Sequence, residues 1–332
     1  MTLQVKTSKG NYDIVIQRGA LHRAGDVFNL ERKVLVVSDS GVPEEYAMTV
    51  ASQCQDAVLF IFEQGEASKC MDTYIGLLQT LTENSFTRTD CIVAVGGGVV
   101  GDVAGFAAAT YMRGIDFYNI PTTVLAQVDS SIGGKTAIDF GGYKNLVGAF
   151  YPPKGVLIDG NVLDSLPARQ VVNGLAEVIK MALTHDAGLF ELLASDSAVS
   201  DEMLYRALCI KKQVVEADEH ETGLRKVLNF GHTLGHAMES VESSYYHGEC
   251  VALGMLPMCV PAVRERLVAV LEHWGLPTTY CGDVDVLIDV CRHDKKASDD
   301  TITLVSVPEI GQFEMKSVSF GQYETVLREV MR

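Results

Sequence analysis

The stretch CIVAVGGGVVGD (residues 91–102) decides the fold of the first half of this chain. Its first five residues form a short apolar run, which predicts a buried β-strand. Three glycines follow, and residues 103–110 are predicted to be helical. A glycine-rich turn between a strand and a helix lets the backbone approach a phosphate, and the helix start offers free N–H groups. We therefore favour pyrophosphate binding over a plain tight turn, although no clear acidic residue follows ~20 positions later.

Further apolar runs place this strand in a sheet. They span residues 33–38, 57–62 and 116–121. Residues 71–84 lie between two of the strands and carry apolar side chains at helical spacing. Continuous apolar strands separated by helices predict a parallel sheet that is covered on both faces. Asp39 ends the first of these strands, and Thr122 and Thr123 follow the last, so all three are candidates to hydrogen-bond the same nucleotide.

The second half of the chain has a different pattern. Residues 171–183 and 201–215 have helical periodicity, and one strand-like run at 301–307 interrupts the helices. We therefore predict two domains, an α/β nucleotide-binding domain over residues 1–160 and a mainly helical domain over residues 161–332.

The composition excludes some classes of protein. The 332 residues include 27 Lys and Arg against 43 Asp and Glu, a net charge of −16, which argues against a nucleic-acid binder with a basic surface. A few focused cations can still form a positive pocket for a phosphorylated small molecule. The longest uncharged apolar stretch, residues 250–263, contains two prolines and is too short to span a membrane, so it predicts a buried helix.

The cysteines and the N-terminus indicate the compartment. The eight cysteines are scattered and form no Cys-x-x-Cys pair, which is typical of free, buried thiols in a reducing compartment. The first residues are polar and lack the apolar run of a signal peptide. We therefore predict a cytoplasmic protein without nucleic-acid or membrane partners.

Three histidines in the second half form the strongest chemical signal. His232 and His236 stand at i and i+4 on one helix face, and His247 follows 11 residues after His236. Glu177 lies on a predicted helix with Lys180 at i+3. Two histidines and one carboxylate with an open position compose a catalytic divalent-metal site. The spacing alone does not say which two histidines bind the ion.

Two further patterns suggest anion binding. The segment DSSIGGK (residues 129–135), followed by Lys144 and Asn145, is either an anion-binding loop or a solvated glycine-rich loop, and spacing does not choose between them. Cations that are candidates to bind an anionic substrate are Lys180, Lys211, Arg225, Lys295 and Lys296. For any single lysine of this set, a solvated surface position is the better prediction.

Taken together, the motifs resemble the 3-dehydroquinate synthases of the sugar-phosphate cyclase family. The matching strings are GGGVVGD (96–102), ATYMRG (109–114), VDSSIGGKTA (128–137), KNL (144–146), AEVIK (176–180), LNFGHT (228–233) and HGE (247–249). The resemblance runs from about Asp39 to beyond Lys296. It implies a Rossmann-like α/β N-terminal domain that binds nucleotide and a mainly α-helical C-terminal domain that binds metal and substrate.

The resemblance also implies a reaction of the shikimate pathway. A seven-carbon 3-deoxy-heptulosonate 7-phosphate is oxidised at C5 by NAD, loses phosphate by β-elimination, is reduced again, and closes to 3-dehydroquinate by an intramolecular aldol step. NAD is thus used catalytically. A zinc or cobalt ion would polarise the reacting oxygen.

Site residues follow from the same resemblance. The metal ligands would be Glu177, His232 and His247, which leaves His236 for substrate contact or proton transfer. Asp129 and Lys180 would hydrogen-bond ring hydroxyls, and Lys211 with Arg225 would clamp the carboxylate. Phosphate-binding positions would be Lys135, Asn145, Asn229 and Lys295 or Lys296, joined by Arg113 from the second subunit of a homodimer. NAD-binding positions would be Asp39, Glu66, Lys69, Gly98, Gly101, Asp102, Thr122, Thr123 and Lys144.

Three alternatives remain open. A sister cyclase would share the NAD and metal sites and act on another sugar phosphate, although the presence of both Lys211 and Arg225 favours a carboxylated substrate. A metal-dependent alcohol dehydrogenase of the glycerol dehydrogenase type would release NADH and need no phosphate pocket. A non-catalytic nucleotide-binding protein would bind NAD whether or not a chelator is present.

Overall fold

The computed structural model of the chain describes residues 1–221, 223–295 and 301–331. The chain divides into two compact units, with the boundary after Pro167. The sequence predicted this boundary at residue 160.

The first unit is an α/β unit. Its strands are β1 (Thr2–Thr7), β2 (Gly10–Ile16), β3 (Lys33–Asp39), β4 (Asp56–Phe62), β5 (Cys91–Gly96), β6 (Asp116–Pro121), β7 (Lys135–Phe140), β8 (Tyr143–Phe150) and β9 (Gly155–Ile158). Its α-helices are α1 (Ala24–Val27), α2 (Glu44–Ala51), α3 (Met71–Glu83) and α4 (Gly98–Thr110). The four strands predicted from apolar runs are confirmed as β3, β4, β5 and β6, and the helix predicted over residues 71–84 is confirmed as α3.

Seven of these strands form one sheet in the order β1-β2-β9-β6-β5-β3-β4. All neighbours from β2 to β4 run parallel, and only β1 pairs antiparallel with β2. The hairpin of β7 and β8 is a separate two-stranded sheet. The sequence patterns did not predict β1, β2, β9 or this hairpin.

Helices cover both faces of the sheet, which explains why its central strands are apolar throughout. Successive residues of a strand point to opposite faces. Val34 and Val36 of β3 therefore belong to one apolar cluster, whereas Leu35 and Val37 belong to the other. All four side chains are fully buried. Burial of each stabilises the fold by about 1.5–3 kcal/mol.

The topology brings three predicted loops to one edge of the sheet. β5 lies between β3 and β6, and all three strands run parallel. The carboxyl ends of these strands therefore place Asp39, the glycine turn after Gly96, and Thr122 side by side. Ligands of open α/β sheets bind at such an edge.

The second unit is mainly helical. Its described helices are α5 (Ala168–His185), α6 (Ala187–Ser195), α7 (Asp201–Ala217), α8 (His232–Val241), α9 (His247–Met255), α10 (Pro261–Trp274), α11 (Val284–Lys295) and α12 (Phe320–Val330). The predicted helices over 171–183 and 201–215 are confirmed as α5 and α7. The predicted strand at 301–307 is confirmed as β10 (Thr301–Glu309), but it pairs with a second strand, β11 (Gln312–Ser319), that the sequence analysis missed.

The single buried helix predicted over residues 250–263 is wrong. α9 ends at Met255, a 3-10 turn covers Leu256–Met258, and α10 begins at Pro261. Proline has no N–H group to donate within a helix, so Pro257 and Pro261 occur where helical segments begin. Across the described residues, every helix is too short or too polar to cross a membrane.

Glycines allow α9 to approach two other helices of this unit very closely. A Cβ atom on Gly248 would lie 1.9 Å from the backbone oxygen of Asn173 on α5. A Cβ atom on Gly254 would lie 2.0 Å from the backbone oxygen of Gly231, the residue before α8. A side chain at either position would therefore force α9 further from α5 or from the start of α8.

Candidate functional site

The glycine turn of the first unit packs tightly at the start of α4. Gly97 precedes the helix, and Gly98 is its first residue. A Cβ atom on Gly98 would lie 3.3 Å from Oγ of Ser130, and one on Gly101 would lie 3.2 Å from Nδ2 of Asn119, so a side chain at either position would require these neighbours to shift slightly. The free N–H groups of the first helical turn remain at the edge of the sheet.

Three predicted site residues meet beside this turn. Nζ of the buried Lys69 lies 2.6 Å from Oδ2 of Asp102 on α4 and donates a hydrogen bond of 2.5 Å to Oδ1 of Asn145 on β8. Burial disfavours the charged carboxylate and raises the pKa of Asp102 to about 6, although the Lys69 cation opposes the shift. The structure thus joins positions that are far apart in the sequence into one polar cluster.

We expect Asp102 to make the free energy of unfolding depend on pH. Its carboxyl ionises near pH 4 in an unfolded chain but near pH 6 in the folded one, so its stabilising contribution is complete below about pH 4 and is lost as the pH rises through 6. The Asp102→Asn variant has no ionisable carboxyl at this position, so this contribution to the pH dependence of its stability is absent. Between pH 4 and 7 the wild type should lose up to about 3 kcal/mol relative to the variant. Denaturant unfolding at several pH values measures this, and parallel profiles for the two proteins would contradict it.

Further site positions that were predicted in this unit lie at the same edge of the sheet or are exposed elsewhere in the unit. Oδ1 of Asp39 accepts a hydrogen bond of 2.9 Å from the Gly41 backbone, in a cavity of about 500 Å³ lined by residues 38–44 and Ile61. Thr122 is buried, and its backbone N–H donates to the carbonyl of Gly96. Thr123 accepts a hydrogen bond from the Ala126 backbone. Glu66, Lys135 and Lys144 are exposed.

Asp129 and Arg113 lie at opposite ends of helix α4. Asp129 lies in a π-helical turn, Ala126–Ser130, beside the start of α4, and its charge acts on Asp102. Arg113 is exposed in the turn after α4, at the opposite end of that helix from Gly98. Because a helix of this length spans about 20 Å, Arg113 does not join the cluster around Asp102 within this chain.

In the second unit, three helices bring a carboxylate and two imidazoles together. Glu177 lies on α5 and is buried, His232 begins α8, and His247 begins α9. Nε2 of His232 lies 3.4 Å from Oε1 of Glu177, and Nε2 of His247 lies 3.7 Å from the same oxygen. One donor atom from each residue falls within 4.8 Å of the others.

Each imidazole has a second partner on its other nitrogen. Nδ1 of His232 lies 3.1 Å from the carbonyl oxygen of Phe230, and Nδ1 of His247 lies 3.1 Å from Oε2 of Glu239. A carbonyl and an ionised carboxylate only accept hydrogen bonds, so Nδ1 donates in both pairs. Nε2 of each ring then faces Glu177. This is the arrangement in which histidine binds metal ions in proteins.

The three groups perturb one another. Burial opposes ionisation of Glu177, but the Lys180 cation and His232 hold its pKa well below the usual range. Burial, together with the nearby Lys180, lowers the pKa of His232 to about 3. Burial also disfavours the charged form of His247, but Glu177 and Glu239 outweigh it and raise its pKa to about 9. An anionic Glu177 and a neutral His232 are the protonation states that a metal ligand needs, whereas His247 must release a proton when it binds an ion.

The donor set fits a divalent cation. Both carboxylate oxygens of Glu177 are buried: Oε2 pairs with the Lys180 ammonium, and Oε1 faces Nε2 of His232 and of His247 at 3.4 and 3.7 Å. A buried carboxylate is costly unless a cation compensates it, and Lys180 contacts only one of the two oxygens. Two nitrogens and one oxygen match the three protein ligands of a catalytic zinc site, which leaves a fourth position open.

Two further residues surround this candidate metal site. Lys180 is buried, and its Nζ donates a hydrogen bond of 2.6 Å to the carbonyl of Leu228. His236 is exposed, and its ring centre lies 5.3 Å from that of His232 and 5.9 Å from that of His247. His236 is therefore close to the site but more open to solvent than the other two histidines.

The remaining predicted substrate positions lie partly within this unit. Lys211 on α7 and Arg225 in a 3-10 turn, Leu224–Asn229, are both buried. Asn229 is exposed, and its Nδ2 donates to Oε1 of Glu221. The side chain of Lys295 and the whole of Lys296 lie outside the described residues.

The sequence analysis missed two residues that contact this site. Glu239 lies two helical turns after His232 and one turn after His236, so the spacing 232, 236, 239 along one helix face was the available signal. Oδ1 of Asn173 accepts a hydrogen bond of 2.6 Å from the backbone N–H of Gly248, next to His247. No spacing rule connects positions 173 and 248, which are joined only by the packing of α5 against α9.

Comparisons with known proteins find similar sequences along most of the chain. Residues 59–173 match the family model "3-dehydroquinate synthase N-terminal", and residues 174–297 match "3-dehydroquinate synthase C-terminal". A 3-dehydroquinate synthase of Streptococcus suis (strain 05ZYH33) is 43% identical over 94% of this chain and 95% of its own.

Two solved structures have a similar fold at lower identity. A 2-deoxy-scyllo-inosose synthase complexed with carbaglucose-6-phosphate, NAD⁺ and Co²⁺ has a TM-score of 0.90 and 26% identity, with both chains fully covered. The 2-epi-5-epi-valiolone synthase ValA from Streptomyces hygroscopicus, with NAD⁺ and Zn²⁺ bound, has a TM-score of 0.86 and 26% identity over 98% of this chain and 97% of its own.

Proposed function

The chain belongs to the 3-dehydroquinate synthase family, and from that premise we propose that it converts 3-deoxy-D-arabino-heptulosonate 7-phosphate into 3-dehydroquinate and phosphate. It is an enzyme of the cyclase and lyase type. We further propose that it depends on NAD and on a divalent metal, as the cofactors bound to its structural relatives suggest. The observation that carries the proposal is the buried Glu177 carboxylate, whose Oε1 faces the Nε2 atoms of His232 and His247.

Glu177, His232 and His247 would hold the metal, and bound metal supplies a Lewis acid that polarises the reacting oxygen. The nucleotide would lie at the edge formed by β3, β5 and β6, where Asp39, the start of α4, Thr122 and Thr123 are available. Bound NAD supplies a hydride acceptor at C5 that later returns the hydride.

Side chains around the metal site would position the substrate and move protons. Nζ of Lys180 is held by the Leu228 carbonyl and by Glu177, so it can donate to a ring hydroxyl from a fixed place. The exposed ring of His236 can exchange a proton with solvent, which suits the transfer that β-elimination requires. Asp129, near the start of α4, remains a candidate for a second hydroxyl contact.

The substrate class distinguishes this proposal from a sister cyclase. A carboxylated substrate needs cations for its carboxylate, and Lys211 and Arg225 are two cations buried in the metal-binding unit. Nη1 of Arg225 donates a hydrogen bond to the Glu219 carbonyl, which orients the guanidinium, and the Arg225 backbone N–H donates to Asp218. The family resemblance assigns the phosphate contacts to Lys135, Asn145, Asn229 and Lys295 or Lys296.

A direct assay tests the function. Purified protein supplied with the heptulosonate phosphate, NAD and zinc should release one phosphate for each dehydroquinate formed, without accumulation of NADH. Chelator should stop the reaction, and added metal should restore it. Stoichiometric NADH would indicate an alcohol dehydrogenase instead. Turnover of a sugar phosphate without a carboxylate, but not of the heptulosonate, would indicate a sister cyclase.

Arg225→Ala should weaken substrate binding more than NAD binding. Loss of a charge-assisted hydrogen bond of about 1.5–3 kcal/mol should raise KM for the heptulosonate about 10- to 100-fold and change KM for NAD less than about twofold. Lys226→Ala, which removes the adjacent and more exposed cation, is the matched control and should change neither value. Equal increases of the two KM values in the Arg225 variant would contradict the role.

We also propose a homodimer in the cytoplasm. Arg113 is exposed at the end of α4 away from the nucleotide edge, as a residue that serves a second subunit would be. All eight cysteines lie in the described part of the chain and none forms a disulfide. Burial raises the pKa of Cys91 and of Cys259 to about 12, so these thiols stay protonated. Such thiols suit a reducing compartment.

A further inference from the structure

Helix α8 carries three polar side chains on the face that meets the start of α9. His232, His236 and Glu239 follow at i, i+4 and i+7, so they lie above one another along the helix. His232 faces Glu177, and Glu239 faces His247 across the gap between the two helices. Helix α8 thus carries the candidate metal ligand His232, and through Glu239 it also contacts the second candidate ligand, His247, on the ring nitrogen that faces away from Glu177.

The contact between Glu239 and His247 has the geometry of a hydrogen bond. Oε2 of Glu239 lies 3.1 Å from Nδ1 of His247, while Nε2 of the same ring points towards Glu177. His232 has the same arrangement, but there the acceptor is the backbone carbonyl of Phe230, at the same distance of 3.1 Å. The two imidazoles are therefore oriented in the same way, one by the backbone and one by a side chain.

We infer that Glu239 is a positioning residue, which holds the His247 ring so that its Nε2 faces the metal. This inference rests on the proposed function, because it gives Glu239 a role only if His247 binds an ion. Without the carboxylate, the ring can rotate about its side-chain bonds and either nitrogen can carry the proton. Both changes reduce the fraction of chains that are ready to bind metal. Second-sphere acceptors of this kind typically contribute 10- to 100-fold to metal affinity.

A competing interpretation makes Glu239 a ligand. His236, Glu239 and His247 also place one donor atom each within 4.8 Å of one another, so a second ion is conceivable there. The direct Nδ1–Oε2 hydrogen bond argues against it, since His247 would have to give up that bond and use both ring nitrogens as ligands. The number of ions bound per chain distinguishes the two interpretations.

The experiment measures metal binding rather than activity. Metal-free wild type, Glu239→Gln and Glu239→Leu are titrated with Zn²⁺ against a chromophoric chelator, and with Co²⁺ while the visible absorption bands are recorded. The matched control is Glu242→Gln, which removes a carboxylate just after α8 that accepts a hydrogen bond from the Ser244 backbone. Thermal unfolding of each metal-free protein shows whether the fold is retained.

We expect one ion per wild-type chain. Glu239→Leu should lower the affinity about 10- to 100-fold and alter the Co²⁺ spectrum. Glu239→Gln keeps an acceptor oxygen and should lose less, and Glu242→Gln should stay within about twofold of wild type. If Glu239→Leu fails to fold, Glu239→Ala takes its place, because it also removes the acceptor oxygen and an unchanged affinity there contradicts the inference.

Other results would overturn the inference in distinguishable ways. An unchanged affinity and spectrum in both Glu239 variants, with a wild type that binds metal and turns over substrate, would refute the positioning role alone. Two ions in the wild type and one in Glu239→Leu would make Glu239 a ligand. A wild type that binds no ion would remove both this inference and the proposed metal dependence.

Discussion

Replacement of His247 by alanine is expected to lower kcat at least about 1,000-fold and to remove tightly bound metal. The imidazole would be one of three protein ligands, and a site with two ligands holds zinc poorly. A thousandfold loss corresponds to about 4 kcal/mol of transition-state stabilisation, which is within what a metal ion supplies as a Lewis acid. The fold should survive, because the His247 side chain is 29% exposed and begins α9 rather than filling the core.

The measurements are steady-state turnover, metal content and thermal unfolding of the purified variant. His273→Ala is the matched control, since that imidazole is exposed and contacts the backbone oxygen of Asp196. The control should keep wild-type turnover and metal content. Wild-type activity with bound metal in the His247 variant would refute the assignment of this residue as a ligand.

Gly248→Ala is expected to destabilise the protein by about 3–5 kcal/mol and to weaken metal binding. The new Cβ atom would lie 1.9 Å from the backbone oxygen of Asn173, which cannot yield as a flexible side chain would. Relief of this overlap requires α9 to move away from α5, and the hydrogen bond of the Gly248 N–H to Asn173 would then be lost as well. Overpacking and a lost buried hydrogen bond each cost about 1–3 kcal/mol. His247, the preceding residue, would move away from Glu177.

Gly321→Ala is the matched control for this prediction. Gly321 lies in the first turn of α12, and nothing is within 4 Å of the place where its Cβ would stand. Because alanine is the better helix former, the control should be neutral or more stable by up to about 1 kcal/mol. Denaturant unfolding and metal titration of both variants provide the comparison. Equal stability of the two would show that α5 and α9 are not in tight contact at Gly248.

The parts of the fold that the sequence predicted are those with a strong local pattern. The buried strands β3 to β6 are continuous apolar runs, and α5 and α7 have long helical periodicity, so each can be recognised within one short window. β1, β2, β7, β8 and β11 were missed because they are partly exposed and have no such runs, and the buried β9 was missed because it has only four residues. Their pairing partners, rather than their own composition, make them strands.

The candidate site divides in the same way. His232 and His236 could be recognised as a pair, because both lie on one helix. Glu177 comes 55 positions before His232, and only the packing of α5, α8 and α9 brings its carboxylate to the imidazoles. From the spacing of the residues, it was also not possible to infer that His232 and His247 face Glu177 while His236 is more exposed. Spacing alone does not distinguish the three histidines, whereas the family resemblance implies the same assignment as the geometry.

By itself, the sequence determined the kinds of residues available for chemistry and the local elements that carry them, because periodicity and turn glycines act over a few neighbouring positions. Only the tertiary structure decided which of these residues meet. Lys69 contacts Asp102 and Asn145, and Glu239 contacts Nδ1 of His247. The lack of a side chain on Gly248 lets the backbone of Asn173 approach closely. Each of these contacts joins different elements. Such contacts depend on how closely buried helices and strands pack, and that distance is a property of the assembled core rather than of any one segment.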